Sequence, residues 1–379
     1  MATRLILHIC GGAIKSLFAE LFKALHLAGV AQQIYVPVRD KIQLNSYDAI
    51  LTQAIPCSYA LLIKPYHRYL YRLKINTLYN YLLKHHSLET VGIVHSHSLF
   101  SDGGIALKIH QAFQIPYITT VTNTDMNYFF KYGIHLRQQG LSIAEQASTI
   151  VFHNPAYRNA FLNRFYRNTP LRSIIESKSV VIPIGISQKW FDEIRPPLSE
   201  IKLPQLHLLY VGDFSKNKRV EQLIKLVTYQ QAKGIDWKLT LVGGAVSRTE
   251  KIKQVAIGRS YIQLIDWVTD EASLRQLYRQ ADVFIMLSKY ETFGKVYIEA
   301  LTQGLPIIYT QGQGVDGFFE DNPIGLAVPF DNAIADTIMQ INHFIEHYNQ
   351  RDDITTIFEE TLQQFHPNNL LQQWMQLYR

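Results

Sequence analysis

Short runs of apolar residues alternate along the chain with longer segments whose apolar positions recur every three or four residues. The first run, Leu5–Ile9, is followed by helix-like spacing through Leu17, Leu21 and Leu25. Strand-length runs separated by amphipathic helices are typical of parallel α/β architecture. We predict further strands in two series, at 34–37, 92–95, 117–121, 149–152 and 180–182, and then at 206–211, 238–242, 262–264, 283–286, 306–309 and 325–328.

A polar stretch containing two prolines, residues 195–200, separates the two series and is the best candidate for a linker. We place the boundary near residue 197, which gives an N-terminal domain of residues 1–197 and a C-terminal domain of residues 198–364. The length of 379 residues suits two α/β domains of ordinary size. The apolar stretch 49–63 is interrupted by Gln53 and Pro56 and is too short to span a bilayer.

The charge balance favours anionic partners, because the formal net charge is +6 and the isoelectric point is near 9.0. Phosphate-bearing substrates and anionic lipid surfaces both qualify, whereas nucleic acid is disfavoured because the basic residues form no recognised binding module. Cys10 and Cys57 are the only cysteines, too few for a disulfide framework or a Cys-rich zinc site. The chain starts with a predicted strand and not a signal peptide, so we expect a cytoplasmic protein.

Residues 64–86 break the α/β pattern, because basic side chains alternate there with five tyrosines. A basic helix with interleaved aromatic residues suits the headgroup zone of an anionic membrane. The alternative is a solvated surface helix whose tyrosines pack inward. The first interpretation predicts peripheral attachment to a membrane, or contact with the acceptor of a reaction, through residues 64–86.

The segment 288–301 directly follows the predicted strand 283–286 and opens a predicted helix. A glycine at such a junction, Gly294, lets a ligand approach the backbone, and the free N–H groups of the helix favour an anion such as a diphosphate. Glu291 and Glu299 would lie about 12 Å apart along a helix. This exceeds the roughly 5–9.5 Å of hydrolytic carboxylate pairs. Two separate hydrogen-bonding roles at the ends of an elongated ligand fit better.

These residues closely resemble the E-x7-E region of retaining GT-B glycosyltransferases of the group 1, or family 4, type. The matching features are Glu-x-Phe-Gly from Glu291, a second Glu followed by Ala-Leu, and Gly-x-Pro leading into a strand. The resemblance implies two Rossmann-like domains facing a cleft. It also implies that Glu299 holds the ribose hydroxyls and that Glu291 contacts the donor sugar. The backbone would meet sugar and phosphate at Thr292, Phe293 and Gly294.

The segment 208–219 is similar to the family strand and loop that supply an Arg and a Lys to the donor diphosphate. Lys218 falls on the Lys position, whereas Asp213 stands at the Arg position. A carboxylate about 4 Å from a phosphate costs about 4 kcal/mol per unit charge at an effective dielectric constant near 20. We therefore expect Asp213 to point away and Lys216 or Arg219 to replace the missing charge.

Three further segments match the family in order. Gly243 ends a strand near the nucleotide, and Gly11-Gly12 corresponds to the N-domain loop that approaches the donor phosphate, although a Gly pair alone is only a turn signal. Asn123 and Asp125 follow the strand that carries a sugar-contacting His in many relatives. They offer hydrogen bonds to sugar hydroxyls, with a plain Asx turn as the alternative.

His95 and His97 alternate along a predicted strand, which is one way to build a metal site. No third ligand follows at a convincing spacing, so structural histidines are favoured and no metal is expected. No cofactor is expected either, because the nucleotide-sugar is a substrate.

The resemblance predicts a metal-independent, retaining glycosyltransferase whose C-terminal residues 365–379 cross back onto the N-terminal domain. A UDP-sugar is the favoured donor, and the acceptor is expected to be a glycan or a lipid-linked molecule of bacterial surface polysaccharide or glycoconjugate assembly. One rival is a catalytically impaired nucleotide-sugar-binding or scaffold relative. Asp213 and the missing sugar-contacting His favour it, and the intact Glu291 and Glu299 oppose it. A second rival is an epimerase or hydrolase of the same fold.

Overall fold

The computed structural model describes residues 5–11, 15–44, 55–244, 248–320 and 322–379. The chain divides into two compact units. The first unit comprises Met1–His153, Tyr157–Gly185 and Asn368–Arg379, and the second comprises Asn154–Ala156 and Ile186–Pro367. Among the described helices, none combines the length and the hydropathy that a bilayer-spanning segment needs.

The first unit is built on seven parallel strands in the order β3-β2-β1-β4-β5-β6-β7. The strands are β1 Leu5–Ile9, β2 Gln32–Val38, β3 Cys57–Leu61, β4 Val91–Ser96, β5 Tyr117–Val121, β6 Thr149–Phe152 and β7 Ser179–Val181. The helices are α1 Lys15–Leu27, α2 Tyr71–His85, α3 Gly103–Phe113, α4 Phe130–Tyr132, α5 Arg137–Gln146, α6 Pro155–Phe165 and α7 Arg172–Ser177.

Both faces of this sheet are covered, which explains why its central strands are apolar at consecutive positions. On β5, Tyr117 packs into a large cluster with α2, α3 and α5, whereas the next residue, Ile118, packs on the opposite face. The predicted strands of this unit are present to within two residues at either end. β3 is not among the predicted strands, because it is an edge strand in which only Ala60 is fully buried.

Residues 64–86 do not form one helix. A 3-10 turn, Pro65–Arg68, precedes α2, and the chain leaves helical geometry at Leu70. Tyr71 and Lys74 face the core, whereas Tyr66 and Tyr69 are exposed. The interpretation of this segment as a continuous basic surface helix is therefore corrected, and Lys74 in particular is not a surface cation.

The second unit contains six parallel strands in the order β10-β9-β8-β11-β12-β13. The strands are β8 His207–Asp213, β9 Lys238–Gly244, β10 Ile262–Ile265, β11 Val283–Met286, β12 Ile307–Thr310 and β13 Gly325–Val328. The helices are α8 Gln188–Asp192, α9 Val220–Gln231, α10 Thr249–Ala256, α11 Glu271–Arg279, α12 Lys295–Thr302, α13 Ile334–Asn349 and α14 Ile354–Gln363. All six strands agree with the second predicted series.

The boundary predicted near residue 197 lies inside the second unit. The reason is that α8 packs there: the Trp190 ring meets the Tyr278 ring edge-on at a centroid distance of 5.6 Å. The backbone N–H of Arg195 also donates to the carbonyl of Thr302 at 2.9 Å. The prolines that suggested a linker follow this anchored segment.

The C-terminal helix, α15 Pro367–Leu377, belongs to the first unit, which confirms that the end of the chain crosses back. Its buried residues Leu370 and Trp374 pack against Ile118, Val151 and Ile182. Phe365 stays in the second unit, where its ring packs near Phe293 and Phe318.

Candidate functional site

The strand order of the second sheet reverses between β8 and β11. The chain runs from β8 outward to β9 and β10 and then returns to the other side of β8 as β11. Ligands of open parallel sheets bind beyond the carboxyl ends of the strands at such a switch point. The loop after β8 carries Lys216, Lys218 and Arg219, and the loop after β11 carries Glu291.

Asn217 joins these two loops. Its side-chain amide donates to the carbonyl of Tyr290 at 2.8 Å and accepts from the backbone N–H of Tyr290 at 3.1 Å. Its own carbonyl accepts from the N–H of Lys289 at 2.7 Å. Three hydrogen bonds through one residue therefore fix the two loops at a constant distance. Asn217 is not among the site residues predicted from the sequence, although it lies between two candidate cations, Lys216 and Lys218.

Lys218 and Glu291 meet as a consequence of this arrangement. The Lys218 Nζ lies 2.5 Å from Glu291 Oε2 and 3.7 Å from Met286 Sδ. The two side chains are 17% and 16% exposed, so the pair is shielded but still open to a ligand. A ligand that joins a phosphate to a sugar can place its phosphate against the cation and a sugar hydroxyl against the carboxylate.

The backbone of Thr292, Phe293 and Gly294 is fixed at the start of α12. The side chain of Asn154 donates to the carbonyl of Thr292 at 2.7 Å, and the Phe293 ring is fully buried. Gly294 has a φ of +81°, and a Cβ there would lie 2.7 Å from the Tyr297 ring. Only glycine therefore allows this turn at the start of α12.

A turn after β12 supports Glu291 from the other side. The N–H of Glu291 donates to Gln313 Oε1 at 3.1 Å, and the N–H of Gly314 donates to the carbonyl of Glu291 at 3.0 Å. This turn is not among the site segments predicted from the sequence. Its glycine-rich composition, with Gly312 and Gly314, is the signal that could have identified it.

Glu299 lies one turn into α12 and is partly buried. The Tyr278 hydroxyl donates to its Oε2 at 3.2 Å. Burial raises the pKa of Glu299 to about 7; the charge of Lys295 and the Tyr278 hydrogen bond oppose this rise, and Glu271 adds to it. A carboxylate that ionises near neutral pH is a strong acceptor for hydroxyl groups above that pH.

The other charged residues at the end of β8 and in the loop after it differ in their contacts. Asp213 Oδ1 accepts from the backbone N–H of Ser215 at 2.8 Å, so its carboxylate is turned into its own loop, as expected. The Arg219 guanidinium lies 4.2 Å from the centre of the Phe330 ring and donates to the Phe330 carbonyl at 3.1 Å. Lys216 is exposed on the same turn. Of the two residues expected to replace the missing positive charge, Arg219 is held by Phe330, whereas Lys216 is exposed.

The backbone around position 243 requires glycine there. Its φ is +139°, and a Cβ there would lie 1.8 Å from the carbonyl oxygen of Gly212 on the neighbouring strand. The close approach of β8 and β9 at their carboxyl ends thus requires glycine at this position.

In the first unit, Gly11 lies at the end of β1 and donates its N–H to the carboxylate of Asp102. The Ser98 hydroxyl donates to Asp102 Oδ2 at 2.8 Å. Burial raises the pKa of Asp102 to about 7, while the Ser98 bond and the charge of Lys74 oppose this rise. Gly12 lies outside the described residues.

Asp125 is buried and its carboxylate is fully used within the first unit. It accepts from the N–H groups of Leu99 at 3.2 Å, Phe100 at 3.0 Å and Thr122 at 2.8 Å. The Thr122 hydroxyl adds a fourth bond at 2.8 Å. This arrangement favours a structural role, that of joining two loops. Asn123 is half-buried, and its Oδ1 accepts from Asn127 Nδ2 at 2.9 Å.

A third histidine, His8 of β1, joins His95 and His97, contrary to the expectation that no further ligand approaches. Within the described residues, these three imidazoles are the one group with the spacing of metal ligands, at most 4.8 Å between ligand atoms. His8 Nδ1 and His97 Nε2 share a hydrogen bond of 3.1 Å. His95 contacts the Tyr378 hydroxyl at 2.7 Å and the Thr120 hydroxyl at 2.9 Å. Burial lowers the pKa of His8 to about 3. The group is therefore an uncharged part of the core.

Comparison with known proteins agrees with this geometry. Residues 193–357 match the sequence model of the family "Glycosyl transferases group 1". The second unit is a group 1 glycosyltransferase domain. The chain is also 22% identical over 268 residues to alpha-monoglucosyldiacylglycerol synthase of Acholeplasma laidlawii, covering 66% of each protein. The first three curated relatives are matched over 48% to 66% of their own length.

Solved structures extend the comparison to the whole chain. Sucrose-phosphate synthase of Thermosynechococcus elongatus superposes with a TM-score of 0.72 at 19% identity, covering 99% of this chain and 98% of that one. HepE of Anabaena, solved in complex with UDP-glucose, gives a TM-score of 0.66 at 14% identity and covers 98% of both chains. At these identities the likeness shows the fold alone. The chain thus has the GT-B fold, as the group 1 domain implies.

The structure predicts that Asn217→Ala destabilises the second unit. Two side-chain hydrogen bonds are lost, each worth about 1 kcal/mol, so urea unfolding followed by circular dichroism should give a free energy lower by about 2 kcal/mol. Lys216→Ala, on the exposed neighbour, is the matched control and should stay within about 0.5 kcal/mol of the native chain. Equal stabilities of the two variants would contradict the bridging role of Asn217.

Proposed function

We propose that this protein is a retaining, metal-independent glycosyltransferase that moves a sugar from a UDP-sugar to an acceptor. One observation carries the proposal: the paired Lys218 and Glu291 lie at the switch point of the group 1 domain. Against the catalytically impaired alternative, the Asp213 carboxylate accepts a hydrogen bond within its own loop, and Glu291 and Glu299 are both present.

The proposed chemistry depends on positioning and on charge stabilisation. Lys218 and the N-terminus of α12 stabilise the diphosphate as it leaves, because preorganised positive charge acts most strongly where negative charge develops. Glu291 holds the donor sugar and Glu299 holds the ribose. The acceptor attacks the face from which the diphosphate departs, so no covalent nucleophile is needed and the sugar's configuration is retained.

The choice of substrates rests on the relatives. HepE was solved with UDP-glucose, which supports a UDP-sugar donor. The Acholeplasma relative is a glycolipid synthase by name, which supports a lipid-linked or glycan acceptor of surface glycoconjugate assembly. The place of action would be the cytoplasm, at the inner face of the cell membrane.

The first test concerns Glu299. Its replacement by Ala should abolish UDP binding measured by calorimetry, because two ribose hydroxyls lose a charged acceptor worth roughly 1.5–3 kcal/mol each. The affinity of the native chain should fall as the pH drops below about 7, where the carboxylate becomes protonated. Glu299→Gln should remove this pH dependence. The exposed Glu346→Ala is the control, and unchanged UDP affinity in folded Glu299→Ala would refute the ribose assignment.

The second test separates the sugar end from the phosphate end of the site. Glu291→Gln should reduce turnover more than UDP affinity, because it disturbs only the sugar contact. Lys218→Met should weaken UDP binding and leave uridine binding unchanged, because uridine has no phosphate. If Glu291→Gln bound UDP at least about tenfold more weakly, a loss of about 1.4 kcal/mol, the roles of the two glutamates would be reversed.

The third test concerns metal independence. In this proposal Lys218 supplies the positive charge that stabilises the anionic leaving group. Activity measured after chelation with EDTA should therefore remain close to that of untreated protein. Complete loss of turnover that a divalent cation restores would overturn the metal-free mechanism.

A membrane contact is the remaining part of the proposal. Exposed apolar and aromatic side chains cluster around the start of α2, and we call this group the turn patch: Tyr66, Tyr69, Leu70 and Leu73. Exposed Lys64 and Arg72 accompany it, and no acidic residue occurs between residues 64 and 86. Such a surface suits shallow insertion into an anionic bilayer, to which each basic residue adds about 1 kcal/mol.

Co-sedimentation with phosphatidylglycerol vesicles tests the turn patch. The native chain should sediment at low salt, and the double variant Tyr69→Ser, Leu73→Ser should remain in the supernatant with UDP affinity unchanged. Asn80→Ser, an exposed position further along α2, should behave like the native chain. A native chain that stays in solution even at low salt would refute the membrane contact.

A further inference from the structure

Lys74 occupies an unusual position on α2. The residue is only 8% exposed. Within the described part of the chain, no carboxylate lies within 4.0 Å of its Nζ and no acceptor receives a hydrogen bond from it. Lysines are rarely so buried without a partner, because an ammonium loses hydration that nothing replaces.

The nearest acidic groups are already committed elsewhere. Asp102 accepts from Ser98 and from the N–H of Gly11, and Asp125 accepts four hydrogen bonds from its own loops. Burial lowers the pKa of Lys74, and the charge of Arg39 lowers it as well, while Asp102 and Asp125 oppose this. Lys74 thus lies within the electrostatic reach of two carboxylates, neither of which pairs with it.

Lys74 lies in a part of the fold where open parallel sheets bind ligands. In the first sheet the strand order reverses between β1 and β4. Gly11 ends β1 and Asp102 follows β4, so the charges around Lys74 lie at the carboxyl edge of this switch point. Arg39 follows the end of the neighbouring strand β2 and is exposed. His67, buried at the turn before α2, also lies close enough for the charge of Lys74 to lower its pKa.

We propose that Lys74 binds a phosphate group of the acceptor at the carboxyl edge of the first sheet, with Arg39 as an outer cation. This inference rests on the proposed function: the candidate donor site lies in the second unit, which leaves the first unit to receive the acceptor. An unpaired ammonium on a buried stem needs a strongly charged partner from outside the chain. A phosphate oxygen supplies such a partner, whereas a neutral sugar hydroxyl does not.

The phosphate can belong to a soluble sugar phosphate or to a lipid phosphate, and both present the same anionic oxygens. We therefore choose two probes, glycerol 3-phosphate in solution and phosphatidic acid in phosphatidylcholine vesicles. The variant is Lys74→Met, which keeps the length of the stem and removes the charge. Lys84→Met, at an exposed lysine of the same helix, is the matched control.

The first measurement is thermal unfolding of the full chain with and without each probe. Lys74→Met without ligand should melt at a temperature no lower than the native chain, because it removes a buried unpaired charge. It should also lose the stabilisation that one of the probes gives to the native chain and to Lys84→Met. A response confined to glycerol 3-phosphate indicates a soluble acceptor, and a response confined to vesicles indicates a lipid-borne one.

A second measurement reports on the lysine itself. Acetylation of Lys74 by acetic anhydride, quantified by mass spectrometry, should slow at least severalfold in the presence of the effective probe, while acetylation of Lys84 should not change. Equal responses of Lys74→Met and Lys84→Met to both probes, together with unprotected Lys74, would overturn the proposal. Stabilisation by UDP is measured in parallel. If UDP gives none in the native chain while the phosphate response depends on Lys74, the donor assignment fails and the anion site remains.

Discussion

The candidate donor site depends on the distance between two loops that are far apart in the sequence. The loop after β8 and the loop after β11 are held together by three hydrogen bonds to Asn217, and this contact places Lys218 against Glu291. Backbone hydrogen bonds keep a site rigid without the entropy cost of ordering long side chains at the moment of binding. The Lys218–Glu291 pair is therefore in place before any ligand arrives.

Glycine positions add the second constraint. Gly294 allows the turn that starts α12, and Gly243 allows β8 and β9 to approach at their carboxyl ends, where a Cβ would overlap the Gly212 carbonyl. These glycines keep backbone groups close to where a diphosphate would lie. Glu299, one turn into α12, then depends on the same helix start for its position. The group 1 domain thus combines a preformed ion pair, a helix N-terminus and a partly buried carboxylate.

The sequence predicted the strands that are apolar on both faces, and it placed the candidate donor residues in the loops that follow such strands. It did not predict β3, because an edge strand has few buried positions. It also failed to orient α2, since the helical period alone does not say that Lys74 faces inward and Tyr69 outward. Residues whose side chains bind the backbone of another loop, such as Asn217 and Gln313, have no signature in a single sequence. The histidine group formed because β1 and β4 are neighbours, which only the strand order reveals.

Hydrogen–deuterium exchange of the full chain with and without UDP tests the central claim most directly, because it locates a bound nucleotide without assuming which side chains hold it. The account predicts slower exchange of backbone amides in residues 213–219 and 288–299, the two loops joined by Asn217 and the start of α12. Protection of amides elsewhere in the chain, with these two segments unchanged at saturating UDP, would contradict it.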